Sequence, residues 1–378
     1  MVRTEPSTTI LRLVACLLAV LLAGCAARPG PDVLQVTGVP AAGGMVVTLY
    51  VATTRARGGA TGETFTTERA MTMNYERVTL SIPPTHKPGQ IEWPAGPPNP
   101  ASDFVTVERA PLDKASFTRE VGARRHGRPP EIGVFVHGYN TSFQEALFRF
   151  AQMVADAGFE GAPVLFAWPS EGTEAGYLAD KDAATFSRDQ LADLLTQLTR
   201  IPHSRKVAVV GHSMGGWLTA EALRQLRLEG RNDVVNQLQV VLAAPDIDVD
   251  VFRAQMAVIG PLSPPMVVMV SPDDVALSLS EHLSADRRRI GRLDVRDPRV
   301  AEASAKARIQ IVDISSIGSA DLFRHDRFVA LAAMYPAISS AQKNGGHDLS
   351  QAGVFVLDAV DATVSSPFVL ARRAVSGP

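Results

Sequence analysis

The chain has 378 residues, 37 basic and 39 acidic, for a net charge of −2. That balance leaves no basic footprint of the kind that holds nucleic acid, and two cysteines cannot build a disulfide scaffold. With 46% hydrophobic residues, it can bury a sizeable α/β core.

The opening segment MVRTEPSTTILRLVACLLAVLLAGCAA carries Arg3 and Arg12 and then an apolar run from Leu13 to Ala23. That run is too short to span a bilayer and has the length of a secretory h-region. It ends in Leu22-Ala23-Gly24-Cys25, which resembles the bacterial lipobox. The resemblance implies that residues 1–24 are a lipoprotein signal peptide and that Cys25 becomes the acylated N-terminus. Ala26 stands where an aspartate would signal inner-membrane retention, so the expected location is the outer membrane, facing the periplasm. Cys16 lies in the removed segment, which leaves the mature chain without a thiol nucleophile. Residues 25–44, rich in Pro, Gly and Ala, read as a flexible tether, and 45–378 as a single domain.

From Met45, MVVTLYVATTR and YERVTLSIP read as strands. Residues 83–130 are proline-rich and irregular, with one strand pattern at DFVTVERA; they read as an insertion or a wrapped-around sheet edge. After Glu131 the rhythm becomes regular. Apolar runs of strand length (IGVFVHG, APVLFAWPS, KVAVVGHS, QLQVVLAAPD, PPMVVMVSPDD, ARIQIVDIS) alternate with helical patterns, including SFQEALFRFAQMVADAGF and DAATFSRDQLADLLTQLTR. Strands and amphipathic helices in alternation predict an α/β fold: a mostly parallel sheet with helices on both faces.

One joint in this rhythm carries chemistry. Gly211-His212-Ser213-Met214-Gly215 matches G-x-S-x-G between an apolar strand and an amphipathic helix. A tight strand-to-helix turn leaves no room for Cβ atoms at its glycines and pushes the serine hydroxyl out above the carboxyl ends of the strands. There the helix N-terminus aims free N–H groups at it. A base must still take the hydroxyl proton. Acid candidates are Asp273 and Asp274, directly after the strand Met266–Val270, and Asp246 after LAAP. Three histidines follow the acid. His282 lies eight residues past Asp274 on the same predicted helix and reads as surface, whereas His347 sits in a Gly-rich loop and His325 follows the strand IQIVDIS.

VFVHGYN, FAWPS, VVGHSMGG, LAAPD, SPDDVALSLS and HDRF, spanning about 131–328, with LYVATTR upstream, resemble the α/β-hydrolases. In particular they resemble a bacterial esterase/lipase-like family of poorly defined substrate. The resemblance implies Ser213 as nucleophile, Asp274 (the second acidic position, followed by x-A-L) as the acid, and His325 as the base. It also implies an oxyanion hole from the backbone N–H groups of Tyr139 and Met214. Asp273 then reads as the cap of the helix starting at Val275 or as a side chain facing water, and His137 as a structural pin of its loop. Trp168 and His212 are candidate pocket residues. No His/Cys cluster has metal-ligand spacing and no Gly-rich phosphate cradle occurs, so no metal or cofactor is expected.

The expected function is a lipid-anchored serine hydrolase that cleaves small-molecule carboxylic esters through an acyl-enzyme. Amide or thioester cleavage by the same residues, or a non-catalytic envelope protein on this scaffold, are the alternatives. The lid candidates EGTEAGYLADKDAATFS and DVDVFRAQMAVIGPL lack a long exposed apolar stripe, which favours a small-ester esterase over an interfacial lipase.

Overall fold

The computed structural model describes residues 28–59, 64–125, 127–204, 206–319, 321–330 and 355–357. The signal segment, Cys25 and His347 lie outside the described residues.

Six strands, β4 (Ile132–Val136), β5 (Ala162–Ala167), β6 (Val207–His212), β7 (Leu238–Ala243), β8 (Val267–Val270) and β9 (Gln310–Asp313), pair only in parallel with one another. Helices cover both of their faces, which is why their sequences are almost continuously apolar. β1 (Met45–Gly58) adds in parallel to β5. β2 (Thr64–Ile82) and β3 (Val105–Leu112) follow antiparallel, and β10 (Phe355–Leu357) pairs antiparallel with β9 at the opposite edge. The order is β10-β9-β8-β7-β6-β4-β5-β1-β2-β3. It reverses between β4 and β6, and the crevice at such a switch point is where open α/β sheets place ligands.

The core has two layers. On one face, α1 (Lys114–Val121), α3 (Tyr177–Phe186), α4 (Arg188–Thr199), α5 (Met214–Leu228), α7 (Val249–Ile259) and α9 (Pro298–Ala307) bury Phe117, Leu191, Leu195, Leu218, Phe252 and Val300 against the sheet. On the other, α2 (Phe143–Asp156) packs Leu147, Phe148 and Ala151 with Val33, Leu34 and Phe104. Each large side chain buried in this way contributes on the order of 2 kcal/mol. Two short helices complete the set, α6 (Asn232–Val235) and α8 (Val275–Leu283). α2 begins at a capping box in which Ser142 and Glu145 satisfy each other's backbone N–H groups. Among the described residues no helix is long and apolar enough to cross a membrane.

Three sequence expectations change. Residues 28–44 are not a loose tether: Val33 and Leu34 are buried, Thr37 N–H donates to Thr106 O at 2.8 Å, and Arg28 is fastened to α2. Two buried apolar side chains and the partly exposed Glu145 carboxylate that holds Arg28 outweigh the Pro/Gly composition. Within 83–130, the strand pattern is indeed a sheet edge, β3, but a helix, α1, follows it, capped by Asp113. The pattern at 177–199 is two helices, broken at Ser187.

Candidate active site

β6 delivers Ser213 into a backbone conformation that a side chain adopts only under constraint, φ 54° and ψ −121°. Strain of this kind costs about 1–3 kcal/mol and persists where the surroundings over-determine it. They do so here: a Cβ at Gly215 would strike the carbonyl oxygens of Val136 and His137, so the turn packs directly on the end of β4. A Cβ at Gly138 would stand 3.0 Å from Ser213 Cβ, which puts the loop after β4 against the serine. Ser213 and this loop thus straddle the β4/β6 switch point. The Met214 N–H, at the first position of α5, has no intrahelical acceptor. Ser213 Oγ makes no hydrogen bond among the described residues.

The acid and base meet in one hydrogen bond. His325 Nδ1 lies 2.7 Å from Asp274 Oδ2, with the carboxylate fully buried. The other oxygen of Asp274 accepts the Leu277 N–H at 2.8 Å and caps α8, so this one residue is both helix cap and histidine partner. Asp273 is therefore not the cap. It pairs with Arg327 (2.8 Å) and Arg324 (2.9 Å), which hold its carboxyl well below the usual range. SPDD and HDRF interlock: Asp273 takes Arg327, Asp274 takes His325, Asp326 accepts from Ser319 at 2.7 Å, and Phe328 stacks on His212 at 4.3 Å. Burial would lower the His325 pKa, but the charge and hydrogen bond of Asp274 outweigh it, and the net shift is upward. His212, buried beside His325, is held neutral far below the ordinary value, first by burial and then by the neighbouring imidazole.

The loop after β4 is fixed from beneath. Asp180, fully buried, accepts from Asn140 N–H (3.0 Å), Ser170 Oγ (2.6 Å) and Glu171 N–H (2.6 Å). Arg55, at the end of LYVATTR, is buried in β1 and donates to Thr141 O and Ser170 O, each at 3.1 Å. Burial lowers its pKa to about 10, still charged at neutral pH. His137 sits between the carbonyls of Gly138 (2.9 Å) and Trp168 (3.1 Å), its pKa pushed down to about 3 by burial and by Arg55. Arg55 and Asp180 escaped the sequence reading. The signal was a charge inside an apolar run at ATTR, and another on the inner face of a helix.

Trp168 is not a pocket wall. It is fully buried, stacks on His137 at 4.9 Å, and donates its indole N–H to His137 O at 2.8 Å. His212 lines a cleft of about 430 Å³ with His137, Gly138, Trp93, Arg149 and Phe328, a lining that does not include Ser213. His282 is exposed. Asp246, the alternative acid, is committed elsewhere, to Ser280 (2.7 Å), Tyr177 (2.8 Å) and Arg289 (3.1 Å). Tyr177 and Asp180 thus tie α3, one of the two lid candidates, to Asp246, to α8 and to the loop after β4. Among the described residues no cluster could hold a metal ion.

A family model described as "Alpha/beta hydrolase of unknown function (DUF900)" matches residues 113–342. The chain belongs to this family of α/β-hydrolases. The match covers the elbow, the loop after β4 and both halves of the SPDD–HDRF lock, and it reaches upstream into the segment where no resemblance was seen in sequence. No curated protein matches the chain. Among solved structures, an esterase of Pyrobaculum calidifontis is 14% identical, with 89% of this chain and 95% of that one covered and a TM-score of 0.32. An esterase of Rhizomucor miehei is 12% identical over 90% of this chain and 94% of its own, with a TM-score of 0.33. Overlap this loose assigns no activity and no residue roles.

Proposed function

We propose that this hydrolase is a serine hydrolase that cleaves carboxylic esters through an acyl-enzyme. The observation that carries the reading is the strained Ser213 at the switch point, next in the chain to His212, whose ring packs 4.6 Å from that of His325, with His325 Nδ1 held by a buried, helix-capping carboxylate. With Nδ1 engaged by Asp274, His325 presents Nε2 as the free base. Ser213 Oγ attacks the ester carbonyl as Nε2 takes its proton. The oxyanion then forms against the N–H groups of Tyr139 and Met214, where each such donor is worth on the order of 100- to 1,000-fold in rate. Collapse expels the alcohol, which takes the proton back from His325. Water, activated by the same imidazole, releases the acid and restores Ser213. Asp274 holds the tautomer and stabilises the imidazolium.

By the same reading Cys25 carries the lipid anchor and the domain faces the periplasm from the outer membrane.

Burst kinetics with 4-nitrophenyl acetate, beside the matching thioester and anilide, test the reaction class. A burst equal to the enzyme concentration and faster turnover of the ester support the reading. Faster thioester or anilide turnover would move the assignment to those bonds. A folded chain that turns over none of the three would leave a binding scaffold.

A further inference from the structure

Five exposed apolar side chains gather on the elements that bear the proposed acid and base. Val275, Leu279 and Leu283 stand at i, i+4 and i+8 of α8, one stripe along one face, while Leu277 and Ser280 on the opposite side are buried. Val275 N–H donates to Phe323 O at 2.9 Å, which places Phe323 and its neighbour Leu322, 95% exposed, at the head of that stripe. Isolated exposed leucines are ordinary; a contiguous set of this size is not. Arg287 and Arg288, both exposed, follow shortly after the stripe, Arg287 at 3.8 Å from Asp250. Apolar side chains backed by arginine suit a bilayer surface that carries anionic lipid.

A second observation fixes the orientation independently. Arg28 is fastened on the other flank of Ser213: its guanidinium donates to Glu145 (2.7 Å), Asn140 Oδ1 (2.6 Å) and Gly172 O (2.5 Å), at the carboxyl ends of β4 and β5. Cys25 is three residues upstream, within about 11 Å of chain at ~3.6 Å per residue. From β5 to β8 is four strand spacings, or about 19 Å at ~4.8 Å each. Ser213, at the end of β6, lies between the leash and the stripe.

We infer that the carboxyl-end face of the sheet is the membrane-docking face, and that the ester substrate is a long-chain acyl ester of a membrane amphiphile, taken from the bilayer. This rests on the serine-hydrolase reading for the chemistry and on acylation of Cys25 for the leash. It departs from the small-ester expectation drawn from the sequence.

The test uses the full acylated chain reconstituted into vesicles of phosphatidylethanolamine and phosphatidylglycerol. A Phe323→Trp variant is compared with the parent in vesicles whose acyl chains carry bromine. Quenching beyond that of the native tryptophans supports docking; no added quenching overturns it, and a soluble protein or a second copy then becomes the partner. In parallel, Leu279→Asp/Leu283→Asp is assayed on a bilayer-embedded long-chain ester and on 4-nitrophenyl acetate. A loss of tenfold or more on the first with less than twofold change on the second supports the inference and shows that the variant is folded. Equal rates on the embedded ester overturn it. If the parent hydrolyses neither ester, the hydrolase reading fails alone, and bromine quenching still decides docking.

Discussion

The two flanks of Ser213 are held by opposite means. On the β4–β5 side, the loop from Gly138 to Thr141 is tied by groups whose protonation does not change near neutral pH: Arg55 stays charged, and His137 stays neutral with its pKa at about 3. Arg55 donates to the Thr141 and Ser170 carbonyls, and buried Asp180 accepts from the Asn140 and Glu171 N–H groups, so together they fix where main-chain donors point. On the β8–β9 side, the constraint is a pair of side-chain ion pairs, Asp273 with Arg327 and Asp274 with His325, and one member titrates above its ordinary value. The first flank is built to be indifferent to pH. The second is built to respond to it.

Substitutions at the centre and on each flank can break or sharpen that contrast. The largest effect belongs to neither flank: Ser213→Ala should lower kcat on the order of a millionfold, the scale seen when a catalytic serine is removed. On the responsive flank, Asp274→Asn should cost on the order of 10,000-fold in kcat, because the amide favours the wrong imidazole tautomer. On the indifferent flank, Asp180→Ala strips three donors of their acceptor. It should slow kcat/KM about 10- to 100-fold through misplaced backbone, and lower stability by about 2–4 kcal/mol in urea unfolding, with no movement of the pH profile. Arg327→Met should do the reverse, with a modest loss of rate and a clear shift in pH dependence. It removes a positive charge that acts on Asp274, the partner of His325, which raises the base further and moves the acidic limb of kcat/KM to higher pH. If Asp180→Ala moves that limb, or Arg327→Met leaves it fixed, the contrast is wrong.

For the unaltered protein the sign is set by the raised His325. The base works only when neutral, so kcat/KM should climb with pH through a midpoint above the ordinary ~6.5 of histidine. The same pair contributes to folding stability in full below that ordinary value, and the contribution is lost as pH rises through the raised one. Activity and this part of the stability should therefore change in opposite directions over one interval. Thermal melts and rates measured between pH 5 and 9 check both.

Much of this was legible in the chain. Strand–helix alternation from Glu131 onward gives the parallel sheet because buried strands and amphipathic helices leave distinct periods. The elbow is local, five residues that report their own geometry. Asp274 and His325 were placed from motif order, and the structure brings them together across fifty intervening residues. What stayed hidden was contact between distant charges. Nothing local says that Asp273 meets Arg327, that Arg55 reaches under Thr141, or that Arg28 docks on Glu145, since each depends on which loops the sheet order makes neighbours. Trp168 misled for the same reason: a tryptophan at a strand end reads as a wall until His137 is found stacked upon it. The stripe Val275-Leu279-Leu283 has the four-residue spacing of a buried helix face, and only the packing of Leu277 and Ser280 on the opposite side shows that it is the exposed one.

The most direct test of the account is mass spectrometry of the chain after exposure to a fluorophosphonate, beside Ser213→Ala and His325→Ala. The account predicts a single adduct on Ser213, none in Ser213→Ala, and labelling slowed by orders of magnitude in His325→Ala. A folded chain that stays unlabelled, or one labelled equally fast without His325, would contradict it.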